Sequence, residues 1–338
     1  MKRGWIGIAA LVCVGFIVAT GCKKSDESTN TASSGGGGAE KIIIGIVAKS
    51  QSNAVFQAAH AGARDAGKEL SAKLGKDIQI DIKTPTDEDP QAQADAIGAL
   101  VREGARGIAV SCSNGAALKQ PIDDAVDKGV VVVCFDSDSK GSKRMCYYGT
   151  DDRQCGINVM VQLAKAMNDE GTVAILGGNQ SAPNLQGRIA GVREELKNHP
   201  KIKELKDGQG VFYHEEKPEK AAEAVSNAQN ANPQITGWAL IGGWPLFAAD
   251  ALPWKGDAIK CVSVDALPPE LTYLKTGQVK MLLAQDCYSW GHKSVELLID
   301  RIVSNKSPES DRIIDPLAQV TAANADEWAQ KWKNWLGK

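Results

Sequence analysis

Histidine is scarce in this chain. The four residues, His60, His199, His214 and His292, are scattered and never fall into a His-x-x-x-His spacing. No Cys-x-x-Cys pair is present either. The commonest zinc and redox spacings are therefore missing, and no metal site is expected. No block of basic residues appears, and Lys+Arg 39 against Asp+Glu 41 leaves a formal charge of −2. Nucleic acid is accordingly not an expected partner. Also absent are a G-x-S-x-G elbow, a P-loop and a G-x-G-x-x-G turn after the first strand. These absences remove the common signatures of hydrolases, phosphate binders and dinucleotide enzymes. No cofactor is implied, and the chain is not expected to be an enzyme.

What is present begins with "MKRGWIGIAALVCVGFIVATGC". Lys2 and Arg3 precede an uncharged stretch from Gly4 to Cys22, short of a comfortable membrane span of about 20 apolar residues. A basic start, an apolar centre and a small-residue end describe an export signal, assigned here to residues 1–21. Its removal takes the charge from −2 to −4, because Lys2 and Arg3 leave with it. "KKSDESTNTASSGGGGAE", residues 23–40, has no apolar periodicity and reads as a tether. Eighteen such residues span roughly 21–25 Å on average. The rest of the chain is expected outside the cytoplasm.

Six of the eight cysteines then remain in the body: Cys112, Cys134, Cys146, Cys155, Cys261 and Cys287. An even number in an oxidising compartment predicts at least one disulfide, with the pairing open. Several of them sit inside apolar runs, where a buried thiol is the plainer outcome.

From Lys41 onward the period switches between strand and helix. "KIIIGIVA", "GIAVS", "GVVVVCF", "TVAILGG", "ITGWALIGG", "AIKCVSV" and "VKMLLAQ" are continuous apolar strands. Helical patterns separate them, a short one at "PLFAADAL" included, and the series restarts near Asp151. Alternation with continuous apolar strands predicts an α/β fold with parallel sheets covered on both faces. Nearly 300 residues are ample for two doubly wound lobes. Two of the strands end on carboxylates: "GVVVVCFDSDS" runs into Asp136, and "AIKCVSVDALPP" into Asp265. Ligands bind outside the carboxyl ends of strands in open parallel sheets. Both aspartates are thus predicted to face one cleft, with Asp138 a loop residue. Two carboxylates could flank a glycosidic bond, but nothing else in the sequence supports hydrolysis. Trp238 and Trp290 are predicted core. In "ADEWAQKWKNWLGK", Trp328, Trp332 and Trp335 form one helical stripe, expected to dock on the body rather than on a membrane or another protein.

The segments "IGIVAKSQSNAVFQAAHAGARDAGKEL", "CFDSDSKGSKRMCYYGTDDRQCG", "APNLQGRIAGV" and "VSVDALPPELTYLKTGQVKMLLAQDCYSWG" resemble the periplasmic sugar-binding proteins of ABC transporters, of the ribose/galactose type. "VATGC" likewise resembles the lipobox of bacterial lipoproteins, which implies a lipid on Cys22. The resemblance implies a type I periplasmic binding fold with two lobes joined by three hinge crossings. One lobe would combine 41–150 with 286–314, the other 151–285 with 315–338, including the tail helix. It implies a sugar or polyol site made by Asn53, Phe56, Asp136, Ser137, Asn184, Gln186, Trp244, Asp265 and Gln285. Val55, Ser137 and Gln186 stand where ribose binders carry an aromatic and two arginines, and Gly242 or Gly243 where they carry an asparagine. Ribose itself is therefore not the implied ligand. The implied partners are a small sugar, a permease and, through the lipid, a membrane, with the protein itself a monomer. A sensor subunit for a signalling receptor is the alternative, which genes for a permease and an ATPase beside it would argue against. A cytoplasmic repressor of related fold is excluded by the leader and the missing helix-turn-helix.

Overall fold

The computed structural model describes residues 40–206 and 208–337. The export signal, Cys22 and nearly all of the tether lie outside the described residues.

In chain order the first elements are β1 (Lys41–Val47), α1 (Ala54–Leu74), β2 (Asp77–Ile82), α2 (Pro90–Arg102), β3 (Gly107–Val110), α3 (Lys119–Asp127), β4 (Val131–Phe135) and β5 (Cys146–Gly149). Next come α4 (Asp152–Ala166), β6 (Gly171–Gly178), α5 (Pro183–Leu196), β7 (Ile202–Glu204), β8 (Val211–Tyr213), α6 (Pro218–Ala231) and β9 (Gly237–Leu240). The chain closes with β10 (Lys260–Val264), α7 (Glu270–Lys275), β11 (Met281–Ala284), α8 (Cys287–Ser304), β12 (Arg312–Ile314), β13 (Ala318–Val320) and α9 (Ala325–Leu336).

These strands form two sheets. One has the order β12-β5-β4-β3-β1-β2 and the other β13-β11-β10-β9-β6-β7, with β8 also on β6. The pairs are parallel except β11 with β13. Both lobes are doubly wound, as the unbroken apolar strands require. On β1, Ile42, Ile44 and Ile46 face the core shared with α1 and α8, while Ile43 and Val47 join the core on the opposite sheet face with Ile97 and Leu100 of α2. That alternation is the period-2 signature of a strand buried on both sides.

The chain passes between sheets three times: from β5 to α4 at 150–151, from β11 to α8 at 285–286, and from β12 to β13 at 315–317. The hydroxyl of Thr150 donates to Gln285 Oε1 at 2.8 Å, tying the first crossing to the second.

Three features depart from the sequence reading. The helix expected at "PLFAADAL" is only a 3-10 turn, Trp244–Phe247. The tail helix does not belong to the second lobe alone. Trp332 is buried in the core of the first lobe, and Trp335 stacks on Tyr288 of α8 at 6.1 Å. Lys275 of α7 holds Asp326 at the other end of the same helix, 2.7 Å away. The apolar stripe of α9 thus finds its partner across the lobe boundary. Lastly, all six body cysteines are buried free thiols. They lie two to a core: Cys155 and Cys261 in the second lobe, Cys146 and Cys287 on one face of the first sheet, and Cys112 and Cys134 on the other, these last two as hydrogen-bonded neighbouring thiols. Packing as small apolar groups replaces the expected bridge.

Candidate functional site

The carboxyl ends of the two sheets face each other. β4 and β10 occupy the same place in their sheets, and each is followed by an aspartate with positive φ, 55° at Asp136 and 75° at Asp265. Aspartate tolerates this left-handed conformation better than most residues. The turn reverses the chain at the sheet edge and leaves the carboxylate in the cleft. Asp136 Oδ2 accepts from the Ser111 hydroxyl at 2.6 Å, and its Oδ1 from Asn184 Nδ2 at 3.3 Å. Asp265 accepts from Gln285 Nε2 at 2.7 Å and from the Gly243 amide at 3.3 Å. Burial pushes Asp265 up, and Arg188 opposes this.

Asn184 and Arg188 come from α5. They are four residues apart and share one helix face, whereas Gln186 projects from another. That periodicity is the physical reason for a correction: Gln186 does not line the cleft, and its Nε2 is buried without a partner. Arg188 takes its place. It is 2% exposed and donates to Gln285 Oε1 at 2.8 Å, to the Ile241 carbonyl at 3.0 Å and to Asp152 at 3.0 Å. Burial pushes the Asp152 carboxyl up to about 6, against the pull of Arg188. α5 can hold Arg188 there because it lies directly on α4. A side chain on Gly156 would strike the Arg188 carbonyl, and one on Gly191 the Arg153 carbonyl.

Ser137 is the second correction. Its carbonyl accepts from the Cys112 amide at 3.0 Å, its amide donates to Phe135, and its hydroxyl is buried without a partner. The turn at Asp136 directs this neighbour away from the cleft. Asp138 is a loop residue held by Arg144 and Arg312.

Aromatic rings close the cleft from both lobes. Phe56, in the first turn of α1, lies 6.3 Å from Trp290 of α8, tilted by 40°. Trp244 approaches from the second lobe, with His214 edge-on at 5.1 Å. Trp290 was expected to be core alone; it is core and also lines the cleft. Trp238 is fully buried. Asn53 lines the cleft too, with Oδ1 capping α1 at the Val55 amide, 3.2 Å away, which leaves its Nδ2 available.

Two further titratable residues, besides Arg188, escaped the sequence reading. Lys49, 1% exposed, reaches across to Asn184 Oδ1 at 3.3 Å, with Asp136 at 3.9 Å and Glu216 at 4.0 Å. Burial lowers its affinity for a proton, but Glu216 and Asp136 overcome this and raise it, so the ammonium is kept. Burial and the neighbouring carboxylates of Glu88 and Asp136 push Glu216 up to about 8, although Lys49 pulls the other way. Lys49 is thus an ammonium beside a carboxyl that burial displaces toward its protonated form.

With the lobes in this position the space enclosed by these side chains is about 20 Å³. That admits about one water molecule. The polar groups bond to each other across the lobes, and anything larger enters only when the lobes part.

The chain matches known proteins over nearly this whole body. The family profile "Periplasmic binding protein domain" matches residues 44–306. A D-ribose/D-allose-binding protein of Pseudomonas aeruginosa is 26% identical over 298 residues, covering 84% of this chain and 90% of that protein. Among solved structures, an ABC transporter solute-binding protein from Burkholderia graminis in complex with D-arabinose has a TM-score of 0.75 at 25% identity, covering 85% of this chain and 97% of the other. A carbohydrate transporter solute-binding protein from Agrobacterium radiobacter, also with D-arabinose, has a TM-score of 0.76 at 23% identity, covering 86% and 98%. The family match spans well over half of the sequence and both sheets, and the chain belongs to the periplasmic binding proteins.

Proposed function

We propose that this protein captures a small neutral sugar between its lobes outside the cytoplasm and delivers it to an ABC transporter permease. The observation that carries the reading is the facing pair of strand-end aspartates, Asp136 and Asp265, in a cleft walled by Phe56, Trp290 and Trp244. Sugar hydroxyls both donate and accept. The Asp136 oxygens suit their donor side, and Arg188, Lys49 and Asn53 suit their acceptor side, the two cations with charge-assisted bonds. The aromatic faces suit the apolar C–H patches of a sugar ring. Cations and carboxylates balance around the cavity, with Arg188 beside Asp152 and Lys49 beside Asp136. No uncompensated positive charge is available for an acidic sugar. The named ligands of the relatives, D-ribose, D-allose and D-arabinose, are of this neutral class.

A sugar entering the open cleft would exchange the side-chain bonds across it for bonds to its own hydroxyls. Such exchange favours the closed form by the difference in affinity between the two forms. The lipid on Cys22 would hold the body near the permease through the 23–40 tether.

Thermal shift with a panel of neutral monosaccharides tests the reading. A ligand at a hundredfold excess over Kd stabilises by about 2.7 kcal/mol. At least one pentose or hexose should raise Tm measurably, while the matching uronic acids should not. A panel with no response overturns the proposal. For the anchor, Cys22→Ser should shift the protein from membranes to the soluble extracytoplasmic fraction; retention after a carbonate wash would sink that part.

A further inference from the structure

The cleft does not end at Glu216. The same residue lines a second chamber of about 490 Å³ at the mouth, between the lobes. Its walls come from the loops after β1 and β2 on one side and from the loops after β6 and β8 on the other. Ligand pockets commonly measure about 300–1,000 Å³. In the arrangement where the inner cavity measures about 20 Å³, the outer one has ligand size.

Its chemistry continues that of the inner site. Tyr213, at the end of β8 and 40% exposed, supplies an aromatic ring among polar walls. His214 Nε2 and Glu216 Oε1 are buried without a hydrogen-bond partner. His214 also packs on Trp244 of the inner cleft, so one run of side chains lines both spaces. Four carboxyl groups, Asp87, Glu88, Glu215 and Glu216, outnumber the lone Lys217 in the lining. An acidic lining with an aromatic face suits hydroxyls and disfavours phosphate or carboxylate.

We propose that the ligand is a neutral disaccharide, with one ring in the inner cleft, the second in the outer chamber and the glycosidic bond passing Glu216. The proposal rests on the sugar reading above and adds a second ring to it.

Calorimetry on the purified protein tests it with D-arabinose, D-xylose, D-glucose and D-galactose set against arabinobiose, xylobiose, cellobiose and lactose. At least one disaccharide should bind tenfold or more tightly than each monosaccharide it contains. Gln180→Trp fills the outer chamber from an exposed position and should lower disaccharide affinity at least tenfold while leaving monosaccharide affinity within twofold. Tyr213→Ala, which removes the ring instead of adding one, should also narrow the gap. A smaller disaccharide advantage, or a gap that neither variant changes, overturns the second ring while monosaccharide binding still supports the first. If no sugar of either size binds, the sugar reading falls and the disaccharide with it.

Discussion

Asp136 and Asp265 occupy the same place in two lobes of the same winding, yet they stand in different fields. Asp136 has the Lys49 ammonium at 3.9 Å and a short bond from Ser111. Asp265 is bonded by the neutral Gln285 and Gly243, while Arg188 spends its donors on Asp152, Gln285 and Ile241. Burial therefore pushes Asp265 up. The backbone device is duplicated and the electrostatics are not. The helix packing is duplicated as well: Gly62 and Gly291 let α1 lie on α8 as Gly156 and Gly191 let α4 lie on α5. A shared winding dictates where strand ends and helix contacts fall, and leaves the charges around them free to differ. One asymmetry of the fold goes with this: β12 joins its sheet parallel, β13 antiparallel, and β13 is followed by the helix that returns to the first lobe.

The largest effect should come from breaking that return. Trp332 fills the core of the first lobe although its helix follows a strand of the second. Truncating a buried tryptophan to alanine costs about 3–5 kcal/mol. Trp332→Ala should therefore lower the denaturation midpoint strongly, and Trp328→Ala, at a half-buried position, should lower it less. A loss under about 1 kcal/mol for Trp332→Ala would mean that the lobes do not depend on the tail.

The aspartates give the next comparison. A hydrogen bond to a charged group contributes about 1.5–3 kcal/mol. Asp136→Ala should weaken sugar binding about ten- to a hundredfold. The asparagine variants are the cleaner pair, because asparagine also accepts positive φ. Asp136→Asn should lose about tenfold, since the charge facing Lys49 disappears. Asp265→Asn should lose less, because its oxygens are held by the neutral Gln285 and the Gly243 amide and face no ammonium as Asp136 does. Equal losses measured by calorimetry would erase the electrostatic distinction between the lobes. Unchanged affinity in both would remove the aspartates from the site.

Much of this was legible in the chain. The seven continuous apolar runs all became strands, because a strand buried on both faces has no polar positions to interrupt it. Asp136 and Asp265 were visible as the first carboxylates after such runs. β7, β12 and β13 were not, since each has three residues and at least one of them is exposed, too short a run to show a period. Lys49 and Glu216 were not singled out. Yet Lys49 is two residues beyond β1 and Glu216 three beyond β8, where the rule that found the aspartates also points. Arg188 was findable from its four-residue spacing to Asn184. The tail's destination was not, because a stripe of tryptophans states that a helix docks and carries no information about which lobe receives it.

The last comparison separates the lobes by pH. Glu216 projects from the second lobe, and Lys49, Glu88 and Asp136 face it from the first. Parting the lobes returns Glu216 to water and to an ordinary carboxyl value of about 4.3. Closed, it is held up to about 8 by burial and the two facing carboxylates, Lys49 opposing. The closed form thus binds one more proton than the open form between those values. Its advantage is full below the lower value and is lost as pH rises through the upper one. Sugar affinity should fall with rising pH across this window, by at most about tenfold per unit for one proton. Asp152, held up to about 6, keeps Arg188 when the lobes part but is faced by Asp136 and Lys49 of the first lobe, so its share of the slope falls below about pH 6 and the deciding points lie above it. Glu216→Gln keeps the neutral shape at every pH and should flatten the profile, with affinity at pH 8 raised toward that at pH 5. Calorimetry at four pH values on both proteins decides it. A wild-type affinity that rises with pH, or a slope that survives in Glu216→Gln, would show that this carboxyl does not report closure.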